Sequence, residues 1–429
     1  MDRIVRGRIL HFLSSAPIQY EYFEDGVLVI EEGKVARLEA AETLAAKGLD
    51  LSKADHYPDQ LIIPGFVDSH VHAPQLDVMG SFGKQLLDWL NDYTFPLEAK
   101  FGDRDYAADG VKRFIDGLLH NGTTTAMVYG TSHKHTADEI FSQSREKNMR
   151  MIAGKVLMDR NAPDNLLDTA SSGFSDSKQL IRDWHGTGRL GYALTPRFAG
   201  TSTHEQMQSV EKLQQAYPDV WMQTHLSENL SEIEWLLSLY PDAKDYLETY
   251  ERYGMNHEKA VFGHCIHLSD DEVNRLADKG GRIAFCPTSN LFLGSGLFDL
   301  EKMRDNNIPV SIATDVGGGT SLCLLPTLAE AYKICQLKGY TLHATDAFCM
   351  ATLGNAEALH LDSYIGNFAK GKEADFIVLD FSSMPTLKAR LDLAHNIEDE
   401  LFVYMTLGDE RLVKQTSVLG TIRYEREAA

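Results

Sequence analysis

Between residues 61 and 316 the chain alternates two hydrophobic patterns at an even pace. Eight short runs, "LIIPGFVDSHVH", "TTTAMVYG", "RMIAGKVLMD", "LGYALTPRF", "VWMQTHLSE", "AVFGHCIHL", "RIAFCPTSN" and "VSIATDVG", read as β-strands. Segments such as "RDYAADGVKRFIDGLLHNG" and "SDDEVNRLADKGG" separate them; there, apolar residues recur at a period near 3.6 and glycine closes the run. Eight such β/α units predict fold class α/β, a closed parallel (β/α)8 TIM-like barrel. Both ends of the chain differ from this middle. Residues 1–62 and 364–429 carry strand-like pieces, "GVLVIEEGKVARLEA", "ADFIVLDFSS" and "RLVKQTSVLGTIRYE", and neither end has enough apolar surface to fold alone. They are expected to pair into one small β-sandwich domain, leaving 63–363 to the barrel.

A length of 429 residues suits this plan, being too long for one ordinary core. The formal charge of −21, spread along the chain, opposes a nucleic-acid backbone and points to a small, uncharged ligand. No stretch approaches the uncharged length needed to cross a bilayer, so neither a membrane partner nor secretion is expected, and a cytoplasmic protein is. Five cysteines, Cys265, Cys286, Cys323, Cys335 and Cys349, include no C-x-x-C pair. That suits a reducing compartment and excludes a thiolate zinc cluster, so any metal must rest on histidine and carboxylate.

Such residues occur where a barrel would use them. In an extended strand alternate side chains share a face, so His70 and His72 of "FVDSHVHAPQ" point the same way, a chelating geometry. Alone, the pair reads as readily as two solvated histidines. Yet His225 and Glu228 in "QTHLSE", His264 in "FGHC" and Asp315 in "IATDVGG" also fall at C-terminal ends of strands, where barrel enzymes carry their active sites. Each has an ordinary alternative, a satisfied half-buried histidine or, for Asp315, a helix N-cap. Independent accidents would not all collect at one end of four strands. Three imidazoles and a carboxylate suit one Zn2+ with a position left for water, and similar sites accept Fe2+. A bound divalent ion lowers the pKa of its water from 15.7 to about 7, and Glu228 is placed to move protons from that water to a ring nitrogen and a leaving group. His264 would orient or polarise the water, and Asp315 would serve as last ligand and second proton acceptor.

"PGFVDSHVH", "THLSEN", "GHC" and "ATD", in this order, resemble the amidohydrolase superfamily, and "GNFAKGKEADFIVLD" resembles the turn by which those proteins re-enter their small β domain. The resemblance spans nearly the whole chain. It implies a mononuclear deaminase centre with His70, His72, His225 and Asp315 as ligands and His264 as a non-ligand that holds the water. The dinuclear branch bridges its metals with a carboxylated lysine from the fourth strand, whereas this fourth strand ends at Arg197 and Lys155 lies on the third. That departure argues for one metal per chain. Longer strings, "HAPQ", "LLDWLNDYTFPLE", "NGTTTAMVYGT", "GKVLMDRNAPDNLLD", "TPRF", "THLSENLSEI" and "CPTSNLFLGSGLF", resemble the members that deaminate guanine. In them the positions of Gln75, Arg197 and Phe198 line the base pocket.

The resemblance therefore implies attack of metal hydroxide at C2 of guanine, giving xanthine and ammonia. Gln75 and Arg197 would read the ring and Phe198 would stack on it. Arginine offers only donors, which match the 6-oxo and N7 acceptors of guanine and reject the 6-amine of adenine. A homodimer is implied as well. The alternatives are another aminated or chlorinated heterocycle of the adenine, cytosine, pterin or triazine type, or a non-catalytic scaffold, which the full set of ligands disfavours. Trp89 and Phe95 either roof the pocket or pack inward. A second H-x-H, His133 and His135, follows Gly130 and reads as a solvated loop. "GNFAKGKE" spells most of a phosphate-binding loop, but Glu373 replaces the magnesium-holding hydroxyl and a strand follows, so it reads as a turn.

Overall fold

The computed structural model describes residues 3–427. Eight parallel strands, Phe66–His72, Thr123–Tyr129, Arg150–Gly154, Leu190–Pro196, Trp221–Leu226, Ala260–His264, Arg282–Phe285 and Val310–Ile312, follow one another in chain order. The ring closes where Asp315 N–H donates to His70 O and His72 N–H donates to Val316 O, both at 2.9 Å. The first, second and fourth strands are buried at every position, which is why their sequences run apolar without alternation. Inside the barrel Val67, Met127, Ile152, Ala193, Val261 and Ala284 form an apolar floor, plugged from below by Leu359, Leu361 and Ile365. The metal-binding residue types collect instead at the C-terminal mouth.

The surrounding helices follow their sequence signals. Arg104–His120 is capped by Asp103, which accepts from Asp105 N–H and Tyr106 N–H, and it buries Ala107, Val111, Phe114 and Leu118 along one face. Asp270–Lys279 opens on a capping box between Ser269 and Glu272 and stops at Gly280, whose φ of 77° is the left-handed conformation such an end requires. Among the described residues no helix is long and apolar enough to cross a membrane.

Seven strands form a second sheet in the order Thr421–Glu425, Val413–Val418, Phe376–Leu379, Asp55–Pro64, Arg3–Ser15, Ile18–Glu31, Lys34–Ala40. Its seam is the antiparallel pairing of Phe376–Leu379 with Leu61–Pro64, so neither chain end completes the sheet without the other. Glu373, in the turn entering this sheet, accepts from Arg150 and Arg189 of the barrel at 2.6 Å each, stapling the two bodies together.

Two details depart from the sequence reading. "LIIPGFVDSHVH" is not one strand: Leu61–Pro64 belongs to the small sheet and Phe66–His72 to the barrel. The break falls at Gly65, where a side chain would collide with Thr124. Residues 364–429 are not wholly β either. Pro385–Leu391 and Ile397–Leu407 are helices, and the second packs on the barrel-side helices Leu324–Lys338 and Ala344–Cys349 through a face that buries Ile397, Leu401 and Tyr404.

Candidate active site

The first barrel strand delivers His70 and His72 to the mouth, the fifth His225, the sixth His264, and the turn after the eighth Asp315. One donor atom from each of His70, His225, His264 and Asp315 lies within 4.8 Å of the others. His72 joins them, its Nε2 standing 3.3 Å from Asp315 Oδ1 and 3.3 Å from His225 Nε2. Backbone geometry makes this possible. His264 (φ 71°) and Asp315 (φ 50°) adopt the left-handed region, uncommon for residues with a Cβ and concentrated at functional sites. Gly263 admits the His70 ring, since a Cβ there would stand 2.6 Å from His70 Cε1.

Neighbours fix the rings. His225 Nδ1 donates to Arg197 O at 2.7 Å and His264 Nδ1 lies 2.9 Å from Asn290 Oδ1, so both Nε2 atoms face the centre. Asp68, buried beneath, accepts from the Thr314 amide and hydroxyl and from His70 N–H, tying the first strand to the eighth. Tyr129 stacks on His72 at 4.5 Å.

The donor set suits a divalent cation. Burial holds His72 down at about 3, and burial with the adjacent imidazoles holds His225 well below its ordinary value. Burial alone would raise Asp315, but the His70 and His72 rings 3.3 Å from its Oδ1 hold it well below the usual carboxylate range. Neutral imidazoles and an ionised carboxylate are the states a metal binds. Both nitrogens of His70 are buried without a hydrogen-bonded partner; Nε2 lies 3.3 Å from Asp315 Oδ1 but is poorly aligned with it. A ring nitrogen left bare in a dry interior is costly unless something else takes its lone pair.

Glu228 is buried at the edge of this centre, 3.4 Å from His264 Nε2, and accepts from Ser295 Oγ at 3.2 Å. Burial, then the Asp315 charge, pushes its carboxyl up to about 8. Glu232 accepts from Glu228 N–H at 3.0 Å, Asn229 N–H at 3.2 Å and Tyr246 OH at 2.7 Å, and so fixes the turn that carries Glu228.

A cavity opens over these groups, walled also by Gln75, Trp89, Arg197, Phe198 and Leu293. Arg197 Nη1 donates to both oxygens of Glu98 at 2.9 Å, and Gln75 Nε2 donates to Glu98 Oε1 at 2.8 Å. Phe198 packs against Trp235 with ring centroids 5.9 Å apart. Trp89 is buried in the cavity wall and its Nε1 finds no acceptor among the described residues. Phe95 lies under the Arg197 guanidinium at 5.3 Å.

Every candidate site residue named from the sequence thus reaches this mouth. Glu98, Glu232 and Asn290 were missed as roles, although each stands inside a quoted motif. Lys155 is far from metal-bridging use, buried in an ion pair with Asp168. The second H-x-H is not a solvated loop: His133 stands, half-buried, at the residue before the helix Lys134–Lys147, and His135 in its first turn bonds Phe101 O through Nε2 at 2.7 Å.

A parallel eight-stranded barrel with a histidine and carboxylate centre at its C-terminal mouth defines the class of metal-dependent hydrolases. Within that class the chain belongs to the amidohydrolase family, whose family model matches residues 61–422. It is 50% identical to guanine deaminase of Escherichia coli (strain K12) over 405 residues, 94% of this chain and 92% of the relative. The solved structure of E. coli guanine deaminase matches with a TM-score of 0.96 at 48% identity, over 99% of this chain and 100% of that one. A guanine deaminase from C. acetobutylicum, solved with guanine in its active site, matches with a TM-score of 0.89 at 31% identity, over 98% of this chain and 100% of that one.

Proposed function

We propose that the protein hydrolyses guanine to xanthine and ammonia, using one Zn2+ per chain, or Fe2+, held by His70, His72, His225 and Asp315. The observation that carries this reading is a cavity lined both by the metal donors His72, His225 and Asp315 and by the Arg197 and Gln75 side chains, in a chain half identical to a guanine deaminase.

When bound, the ion supplies the Lewis acidity that brings ionisation of water into the neutral range. The other work falls to the chain. Arg197 turns the donors that Glu98 leaves free toward the 6-oxo and N7 edge, Gln75 holds the adjoining ring edge, and Phe198 lies against the purine face. Glu228, buried beside His264, takes a proton from the attacking water, passes it to a ring nitrogen beside C2 and then assists departure of the amine. His264 and Asp315 orient the water and share the proton traffic. One water is consumed and one ammonia leaves.

Cytoplasmic location and a homodimer complete the proposal. All five cysteines are buried and free, as a reducing compartment favours, and a light-scattering mass of one chain would refute the dimer. The division into a small β domain and a barrel belongs to the same reading, with the seam at Gly65. The decisive assay is ammonia and xanthine release from guanine by the zinc-loaded protein, with adenine, cytosine and adenosine in parallel. Turnover of guanine alone is expected. No turnover with one metal bound per chain would discard guanine and direct the search to other cyclic amidines.

A further inference from the structure

One buried carboxylate, bonded to the Arg197 and Gln75 side chains that line the cavity, touches no substrate and carries no proton in the steps above. Glu98 is fully buried, and its three close contacts all come from the two groups assigned to read the base: Gln75 Nε2 at 2.8 Å and Arg197 Nη1 at 2.9 Å to each oxygen. The local sequence sets this up. Phe95 and Glu98 are three residues apart on one helical turn, Phe95–Glu98, so ring and carboxylate face the same side and grip the guanidinium between them. Gln75 is held at both ends, because its Oε1 also accepts Gly317 N–H at 3.1 Å. A backbone N–H can only donate and a carboxylate only accept, so the amide has one orientation. One N–H of Gln75 and the Nε and Nη2 groups of Arg197 remain for a ligand.

The charge matters as much as the geometry. An isolated guanidinium in a wall this dry would attract anions strongly. With Glu98 at 2.9 Å its charge is cancelled, and what remains is a set of directed donors with no net charge. Guanine is neutral at neutral pH. Xanthine carries a second oxo group in place of the amine, its ring N–H is more acidic, and it begins to ionise near neutrality. We propose that Glu98 is a positioning residue that fixes Arg197 and Gln75 for a neutral purine and, by cancelling the Arg197 charge, keeps the wall from retaining the anionic product. This deepens the guanine reading and rests on it. His72, His225, Glu228, Glu232 and Asp315 also face the cavity. They are common to the parent and to variants at position 98, so the difference between them isolates Glu98.

The test compares the zinc-loaded parent with Glu98→Gln and Glu98→Asp, reading guanine kinetics, metal content and inhibition by added xanthine below and above neutral pH. Glu98→Gln should raise KM for guanine more than it lowers kcat, with metal content intact. Its inhibition by xanthine should tighten on the alkaline side by roughly tenfold beyond any change in the parent. Glu98→Asp keeps the charge and shortens the reach, so KM should rise by roughly tenfold while xanthine inhibition follows the parent at every pH. Glu98→Gln showing the parent's pH dependence, or Glu98→Asp departing from it, overturns the charge argument. An unchanged KM in Glu98→Asp overturns the positioning argument, and this variant carries the test if Glu98→Gln does not fold. Metal and activity falling together in both would make Glu98 structural only. Failure of the parent to turn over guanine overturns the proposed function instead.

Discussion

Glu228→Gln preserves side-chain size and every metal donor while removing the buried carboxyl beside both His264 and Ser295. Metal content should persist and kcat should fall by about 10³, the scale of a lost proton carrier. An unaffected rate would take Glu228 out of the mechanism. Arg197→Met acts differently, because it leaves Glu98 as a buried carboxylate without its cation. Breaking one side of such a pair costs about 3–5 kcal/mol, so the variant should melt earlier and lose guanine binding more than metal; metal and guanine use falling equally would make Arg197 structural. The contrast between these residues explains what was legible. His70, His72, His225, His264 and Asp315 announced themselves because strand ends are visible as hydrophobic pattern. Glu98 stayed silent because its partner lies 99 positions away, and no periodicity links the two.

Elements set the aim of those side chains, and small residues do much of the aiming. Gly263→Ala would place a methyl 2.6 Å from His70 Cε1 in a strand with no room to retreat. Circular dichroism should remain that of the parent while metal per chain falls well below one. Full metal occupancy would show that the ring yields without losing its place. The same scale shows why one expected strand became two. "LIIPGFVDSHVH" has uninterrupted β-type hydrophobicity, and only contact with Thr124 from the neighbouring strand requires Gly65 to break it. The helix Ile397–Leu407 was hidden for the opposite reason. Its signal is local, with Asn396 capping it by accepting from Asp399 N–H, but it stands between strands that suggested an all-β tail.

At the scale of the whole molecule the two chain ends must meet to finish the small sheet, and that sheet must hold the barrel from outside. Glu373 joins them, its carboxylate bonded to Arg150 and Arg189 from the third and fourth strands' approach, with all three side chains about nine-tenths buried. Burial alone would raise the Glu373 carboxyl, but the hydrogen bond from Arg150 and the charges of Arg189 and Arg150 outweigh it, and the group ends below its ordinary value. A carboxylate whose folded pKa is depressed binds fewer protons folded than unfolded, so its stabilisation is present above the unfolded value of about 4.3 and is lost as pH falls through the folded one. Glu373→Gln should therefore destabilise the protein by about 3 kcal/mol at neutral pH, since two guanidiniums lose their shared partner. Below the usual carboxylate range the parent should lose that advantage, and the two melting temperatures should converge. Parallel curves across the whole acid range would show that the joint is held by packing, with the Glu373 charge a bystander.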